Sequence, residues 1–507
     1  MNIKRAKQEI KDSIQAYLLK NEYGEYEIPV IRQRPILLIG PPGIGKTQIM
    51  EQIARECKLG LVSYTITHHT RQSAIGLPFI SKKEYGGVEH AVTEYTMSEI
   101  VASIYDEMER TGLREGILFI DEINCVSETL APAMLQFLQC KTFGNHAIPQ
   151  GWIIVAAGNP PEYNKSVREF DLVTLDRVKK IDVTADFSVW KEYAYQVGVH
   201  PAVISYLNIR RQYFYIMETN VDGKMFATPR GWEDLSRLLE VYEKLDKPVD
   251  REVVLQYIQY PKAAKDFANY LELYRKYQTD YQIEAVLAGK IDPILSKKVA
   301  HASFDEKLSV IGLLLSGLFR DFKLYFEKEN MVSCVYSILK EFRNTGGATE
   351  EFERLILKVQ MQREEEKKAK ILTAEEEKCS RDAQEVLEHC LKQMKQSSEE
   401  FHAELFEEAK RVFQTEKAEL QELYDKASQE LEHVMDFMET VFGESQEMVV
   451  FITELNGNYY SVQFMERYVC ERYYHWNGQL LFGERHKKIQ EKIEKQGFSI
   501  DKPKCRG

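Results

Sequence analysis

The stretch that decides the fold is PILLIGPPGIGKT, Pro35 to Thr47. It opens with a short apolar run, and residues 40–47 fit the pattern GxxxxGK[ST] without a mismatch. A helix-like stretch, TQIMEQIAREC, follows directly. The pattern requires this order of strand, glycine-rich loop and helix, because backbone N–H groups of the loop and the helix N-terminus then favour the same anion. The stretch therefore predicts a phosphate-binding loop after a buried strand.

The residue types of this loop suit a nucleotide. Glycines let the backbone wrap closely around phosphate groups. Lys46 is predicted to reach the β- and γ-phosphates, and Thr47 to offer its hydroxyl to Mg²⁺. The predicted nucleotide-binding residues of the loop are Gly40, Pro41, Pro42, Gly43, Ile44, Gly45, Lys46 and Thr47.

Further apolar runs extend the pattern on either side of the loop. The strand candidates are residues 35–40, 61–66, 117–121, 152–157 and a short one near 178–183. Nearly continuous apolar strands that alternate with helix-like stretches predict a parallel sheet covered on both faces. Because ligands bind outside the carboxyl ends of such strands, the polar residues after the first, third and fourth strands are expected to meet.

The third run ends in two adjacent carboxylates within ILFIDEIN, residues 117–124. Asp121 is expected to hold Mg²⁺ through water. Consecutive side chains of an extended chain point to opposite faces, so Glu122 is free to face the γ-phosphate and polarise a water molecule. The alternative is a strand-end cap or a surface ion pair, and the presence of Lys46 and Thr47 favours the metal and water roles.

Three more polar positions follow along the chain. Asn159, in GNPP after the fourth strand, is predicted to contact the γ-phosphate and orient the attacking water, with a simple turn as the alternative. Arg177, near the end of the core, is predicted to stabilise phosphoryl transfer in a neighbouring subunit. Arg168 is the competing candidate, and an ion pair with Asp176 is the alternative role. Arg230, in TPR at the start of a helix, is expected to reach back to the nucleotide, or else to have a capping role.

Composition limits the classes of protein that fit. The chain of 507 residues has no run of about 18 apolar residues, which argues against a membrane span. Its polar N-terminus does not read as a signal peptide. Its net charge of −12 argues against nucleic acid as the main partner. The eight cysteines form no CxxC pair, and a reducing cytoplasm fits them best.

The second half of the chain differs in charge and periodicity. Residues 351–440 hold 14 basic and 24 acidic side chains, a net charge of −10. No glycine or proline occurs from Ala348 to Phe442, and the apolar spacing there is helical. A long helical hairpin or coiled-coil arm is therefore predicted. MVVFITEL, residues 448–455, is interpreted as a strand.

These patterns divide the chain into four predicted domains. Residues 1–190 form the nucleotide-binding core, which includes a hairpin insert over 79–96 and a turn at 144–145 in a second insert. The remaining units are a helical lid (191–325), the acidic arm (326–447) and a strand-plus-helix segment (448–507).

Five motifs, in this order, resemble those of an AAA+ ATPase: GPPGIGKT as Walker A, ILFIDEIN as Walker B, GNPP, LDR and TPR. The two inserts and the helical region after them look like the MoxR-like branch. The resemblance covers about residues 30–320. It implies an α/β three-layer core with a five-stranded parallel sheet, a helical lid, ATP as the nucleotide and a hexameric ring in which Arg177 acts in trans.

The resemblance also implies a function. We expect a Mg²⁺-dependent ATPase whose hydrolysis remodels or activates a protein client. MoxR-like proteins often work with a partner that carries a von Willebrand factor A domain, and magnesium chelatase motor subunits share the arrangement. Two alternatives stay open: a nucleotide-gated scaffold whose helical arm captures partners, and a motor for metal insertion or DNA processing, the DNA version being disfavoured by the acidic charge.

Overall fold

The computed structural model describes residues 1–68, 70–143, 146–163, 167–220, 223–344, 349–396 and 402–480. The strands are β1 (Ile36–Ile39), β2 (Gly60–Thr65), β3 (Pro78–Tyr85), β4 (Val88–Tyr95), β5 (Gly116–Asp121), β6 (Thr142–Phe143), β7 (His146–Ala147), β8 (Trp152–Gly158), β9 (Lys179–Asp182), β10 (Ile216–Asn220) and β11 (Gly223–Ala227). The first helices are α1 (Ile3–Leu18), α2 (Lys46–Cys57), α3 (Arg71–Ile75), α4 (Glu99–Thr111), α5 (Ala131–Cys140), α6 (Leu172–Arg177), α7 (Phe187–Val197), α8 (Pro201–Ile209), α9 (Pro229–Lys244) and α10 (Arg251–Tyr257). The others are α11 (Pro261–Asp280), α12 (Ile283–Leu287), α13 (Pro293–Ala300), α14 (Phe304–Asn344), α15 (Thr349–Lys368), α16 (Ala374–Gln396), α17 (His402–Val441), α18 (Gln446–Gly457) and α19 (Tyr459–Met465).

The predicted five-stranded parallel sheet is confirmed. Its strand order is β2-β5-β8-β1-β9, so the strand before the phosphate-binding loop lies in the interior, beside β8 and β9. Apolar side chains alternate between the two faces of each central strand, because successive side chains of a strand point to opposite sides. One face packs on α1 and α2, and the other packs on α4 and α5. The result is the expected three-layer α/β core.

This topology brings the polar strand ends together. The chain leaves β1, β5 and β8 at the same edge of the sheet, since all three strands run parallel. The loop after β2 lies beside the end of β5, because Thr65 pairs with Asp121 in the register of these strands. The site is therefore built at the carboxyl edge, where α/β sheets bind ligands.

Among the described residues, three antiparallel hairpins interrupt the helices. The predicted hairpin insert is present as β3 and β4, and Gly86 and Gly87 at its tip both have positive φ. The second insert contains β6 and β7, and its predicted turn at 144–145 lies outside the described residues. The hairpin of β10 and β11 was not foreseen, because residues 190–325 look helical in sequence. It is held by the lid, where the Tyr260 hydroxyl donates to Glu218 Oε2 at 3.2 Å.

The interpretation of residues 448–455 as a strand was wrong. These residues lie in α18, whose N-terminus is capped by the Ser445 side chain. Apolar and β-branched residue types suggested the strand, but the buried positions recur at helical spacing. They are Met448, Phe451, Ile452 and Leu455. Helix α18 buries this stripe in the same apolar core as the lid helices, which explains why packing overrides local strand propensity.

Among its described residues, the Gly- and Pro-free region is helical except for a short connection at residues 369–373, between α15 and α16, and its last residue, Phe442. The 41-residue helix α14 runs from the lid core into a second apolar cluster, which it forms with α15, α16 and the first half of α17. The second half of α17 returns to the lid core. The coiled-coil interpretation and the domain bounds stay predictions. None of the described helices is long and apolar enough to cross a membrane.

A charged cluster joins α14 to α17 inside this bundle. The buried Asp321 carboxylate accepts hydrogen bonds from Arg320 at 3.1 Å and from Lys426 at 3.0 Å. Glu430 is also buried, and Lys426 lies 3.7 Å from its carboxylate. Burial, followed by the neighbouring Asp321 carboxylate, raises the pKa of Glu430 to about 7. Glu430 therefore holds a proton in mildly acidic solution.

This cluster predicts a pH-dependent stability. The folded-state pKa of Glu430 lies above its ordinary value, so the stability it contributes is complete below about pH 4.5 and is lost as the pH rises through about 7. Between pH 6 and 8 the loss should amount to about 1 kcal/mol of unfolding free energy. Glu430→Gln should abolish this part of the decline, measured as urea midpoints at both pH values. The exposed Glu422→Gln on the same helix is the control, and an equal decline in the Glu430→Gln variant and the wild type would contradict the assignment.

Candidate nucleotide-binding site

The phosphate-binding loop has the backbone its glycines allow. Gly43 and Gly45 have φ values of 77° and 93°, in the left-handed region that side-chain-bearing residues rarely adopt. Helix α2 begins at Lys46, directly after Gly45. The loop therefore turns tightly from β1 into α2 and directs the N-terminus of that helix to its concave side, which suits a bound phosphate.

Lys46 is buried at the centre of this loop. Its ammonium donates to the carbonyl oxygens of Gly40 and Pro41 at 2.7 and 2.8 Å, and to Asn159 Oδ1 at 2.9 Å. Burial lowers the pKa of Lys46 to about 8, against the opposing effect of the Asp121 charge. All three acceptors are neutral oxygens, so an anion held in the loop would stabilise the ammonium. The residues present therefore fit a nucleotide phosphate.

Thr47 and Asp121 meet at the edge of the loop. The Thr47 hydroxyl donates to Asp121 Oδ2 at 2.9 Å, and Asp121 Oδ1 accepts the backbone N–H of Glu122 at 2.9 Å. A hydroxyl and a carboxylate are the hard oxygen donors that Mg²⁺ prefers. These two residues fit the predicted metal site.

Glu122 points to a different partner. It has a φ of 56°, which is uncommon for a residue with a side chain and is found mainly in turns and at functional sites. Strand β5 ends at Asp121, so this backbone turn, and not strand alternation alone, separates the two carboxylates. The Glu122 carboxylate accepts a hydrogen bond from the Thr67 hydroxyl at 3.0 Å.

Asn124 and Asn159 bind each other reciprocally. The Asn124 side-chain amide donates to the Asn159 carbonyl at 2.8 Å, and Asn124 Oδ1 accepts the Asn159 backbone N–H at 3.3 Å. The contact is close because Gly158 has no side chain: a Cβ there would lie 2.5 Å from Asn124 Oδ1. This pair holds the loops after β5 and β8 together, and so holds Asn159 beside Lys46.

Arg230 lies in the first turn of helix α9 and faces the loop. Thr228 caps helix α9, accepting the N–H of Gly231 at 3.2 Å. The first turn of α9 packs on the loop. The two are so close that a Cβ atom added to Gly43 would lie 3.5 Å from Arg230 Cβ. A cavity of about 460 Å³ between the loop, α7 and α9 is lined by Arg230 and Thr47. The structure thus places Arg230 beside the phosphate-binding loop.

The two candidate trans-acting arginines lie apart from this cavity. Arg177 ends α6, is exposed, and donates to the Gln139 side chain. Arg168 pairs with Glu128 at 2.8 Å. Neither arginine lines the 460 Å³ cavity of its own chain.

Sequence reasoning missed two residues at the site. Thr67 follows β2, and the adjacency of β2 to β5 would have placed it near Glu122. Asn124 lies inside the ILFIDEIN motif, three residues after Asp121, where an amide among apolar neighbours is a signal for a buried hydrogen-bond pair.

Comparison with known proteins agrees with this geometry. Residues 36–173 match the model of the ATPase family associated with various cellular activities (AAA). The match spans the phosphate-binding loop, the Asp121–Glu122 pair and Asn159, and ends before Arg177 and Arg230. No curated protein matches the chain. The α/β core is thus an AAA ATPase domain, a nucleotide-binding domain of the AAA+ superfamily of P-loop NTPases.

The asparagine pair yields a prediction. Asn124→Ala should lower nucleotide hydrolysis about 30-fold, because the two lost hydrogen bonds hold Asn159 in place and each is worth about 1 kcal/mol. Steady-state phosphate release measures the effect, and thermal unfolding shows that the variant is folded. Asn124→Asp keeps Oδ1 but loses the donor, so its effect should be intermediate. Unchanged hydrolysis in a folded Asn124→Ala protein would show that the pair does not position Asn159.

Proposed function

We propose that this chain is a Mg²⁺-dependent ATPase of the MoxR-like type that remodels or activates a protein partner. The proposal rests on one observation: the two carboxylates at the end of β5, Asp121 and Glu122, contact different partners. Asp121 faces the Thr47 hydroxyl, whereas Glu122 faces away from it, toward Thr67. A protein that only binds nucleotide needs the first carboxylate, and the second supplies a general base.

Each residue of the site has a proposed role in hydrolysis. Lys46 binds the β- and γ-phosphates, and Thr47 with Asp121 holds Mg²⁺, which neutralises phosphate charge when bound. Asn159 contacts the γ-phosphate and orients the attacking water. Glu122 accepts a proton from that water through the carboxylate oxygen that the Thr67 hydroxyl does not occupy.

The proposed active unit is a homo-oligomeric ring, a hexamer by resemblance. Arg177 is exposed at the end of α6. On the same short helix, the exposed fraction is 84% for Leu172 and 57% for Val173. Apolar side chains so exposed beside an arginine suit an interface with a second copy. Arg177 would then complete the neighbour's site. Arg168 is the weaker candidate, since its guanidinium is already paired with Glu128.

The finer assignments rest on resemblance. They are ATP as the nucleotide, the MoxR-like branch, a partner with a von Willebrand factor A domain, and a cytoplasmic location. A nucleotide-gated scaffold that captures partners with its helical arm is the second candidate, favoured by the separate apolar cluster of α14–α17. A metal-chelatase-type motor is the third. The scaffold predicts that the general base is dispensable, which distinguishes it from the motor.

Substitution of the general base tests the proposal. Glu122→Gln should lower ATP turnover by about 100-fold or more, the contribution of general base catalysis, while ATP affinity stays near that of the wild type. Lys46→Ala should lose affinity, because it removes the phosphate-binding ammonium. Phosphate release and equilibrium binding of a fluorescent ATP analogue measure the two effects. Glu109→Gln, exposed on α4, is the control. Unchanged turnover in the Glu122→Gln variant would remove the hydrolytic role and favour the scaffold.

A further inference from the structure

One side of helix α9 faces the nucleotide cavity with alternating charges. Arg230, Glu233 and Arg237 all line the cavity, and their spacing of three and four residues places them on the same face of the helix. Glu233 is 7% exposed, and its carboxylate accepts a hydrogen bond from Arg237 at 2.5 Å. The carboxylate therefore lies one helical turn from Arg230, the residue expected to contact the nucleotide.

Tyr193 of helix α7 links this carboxylate to the phosphate-binding loop. Its hydroxyl donates to Glu233 Oε1 at 3.4 Å. Gln48, which directly follows Thr47, lines the same cavity as Tyr193 and Glu233, and its side chain lies near enough to the Tyr193 hydroxyl to lower the pKa of that group. The Gln48 side chain also lies close to the loop: its Oε1 is 3.2 Å from the position that a Cβ atom on Gly45 would occupy. One hydroxyl thus connects α2 of the core with α7 and α9 of the lid.

The ring of Tyr193 is held independently of its hydroxyl. It packs against the apolar core of the helical region. Two further contacts join α7 and its N-cap residue to α1 and its N-cap residue. Glu192 pairs with Lys4 at 2.5 Å, and Asp186 accepts from Asn2 at 3.2 Å. Loss of the hydroxyl alone should therefore leave the lid folded and attached.

We propose that Tyr193 is a positioning residue that sets the approach of Arg230 to the phosphate-binding loop. The inference rests on the proposed function, in which Arg230 contacts the nucleotide, and it takes the γ-phosphate as the group that Arg230 contacts. By fixing Glu233 relative to Gln48, the hydroxyl holds helix α9 at the distance at which Arg230 reaches into the cavity. The link favours ATP over ADP, because only ATP has a γ-phosphate for Arg230.

The protonation state of Tyr193 suits this role. Burial, and then the charge of Glu233, raises the pKa of Tyr193 to about 12. The hydroxyl therefore keeps its proton throughout the physiological range and donates it to the Glu233 carboxylate. A hydrogen bond to a charged acceptor is stronger than one between neutral groups.

Nucleotide affinities of the full-length Tyr193→Phe protein test the inference. We expect ATP affinity to fall about 3- to 10-fold, the effect of one lost hydrogen bond, and ADP affinity to change less than about 2-fold, the additivity error of such measurements. Both are measured by competition with a fluorescent nucleotide. Tyr195→Phe is the matched control: it lies on the same helix, but its hydroxyl donates to Glu454 at 2.8 Å, away from the nucleotide cavity. It should leave both affinities unchanged.

A second measurement separates positioning from general weakening. In an Arg230→Ala background, Tyr193→Phe should cause no further loss of ATP affinity, because the residue it positions is absent. An equal loss of ATP and ADP affinity, an undiminished effect in the Arg230→Ala background, or no effect at all would overturn the inference. Failure of the proposed function itself looks different: the wild type would bind neither nucleotide, or Lys46→Ala would bind as the wild type does.

Discussion

Burial of the Lys46 ammonium among neutral oxygens is the constraint on which the site depends. Two of its acceptors are carbonyls of its own loop, and the third is Asn159 from the neighbouring strand end. A buried cation without a counter-ion is costly, and its lowered pKa reflects that cost. A phosphate anion removes the penalty. The loop geometry, the strand order and the Asn124–Asn159 pair all serve to hold the ammonium where an anion can reach it.

The same edge of the sheet assigns the two acidic residues to different partners. Asp121 is the last residue of β5 and stays beside Thr47, whereas the left-handed backbone at Glu122 turns the next carboxylate toward β2. A metal-holding carboxylate must remain ionised and fixed, and a general base must be able to move. In the proposed mechanism one backbone turn serves both roles, and an uncommon backbone conformation of this kind is typical of functional sites.

Much of this arrangement could be predicted from the sequence because its signals are local. Apolar runs mark strands that are buried on both faces, and the phosphate-binding loop has its own glycine pattern, so the core strands were placed to within about one residue. Residues 448–455 were misread because residue type suggested a strand, whereas their burial spacing is helical. The contacts of Gln48 and Tyr193 could not be predicted, since each depends on packing between elements distant in the chain.

The central claim is that Asp121 holds the metal whereas Glu122 is the general base. Metal binding tests this claim most directly. Mn²⁺ can replace Mg²⁺ as a paramagnetic probe, and its affinity in the presence of a non-hydrolysable ATP analogue can be followed by electron paramagnetic resonance. The account predicts that Asp121→Asn weakens Mn²⁺ binding about 10-fold or more, as expected for a carboxylate that holds a metal through water, while Glu122→Gln leaves it within about 2-fold. Equal weakening by both substitutions, or none by Asp121→Asn, would contradict it.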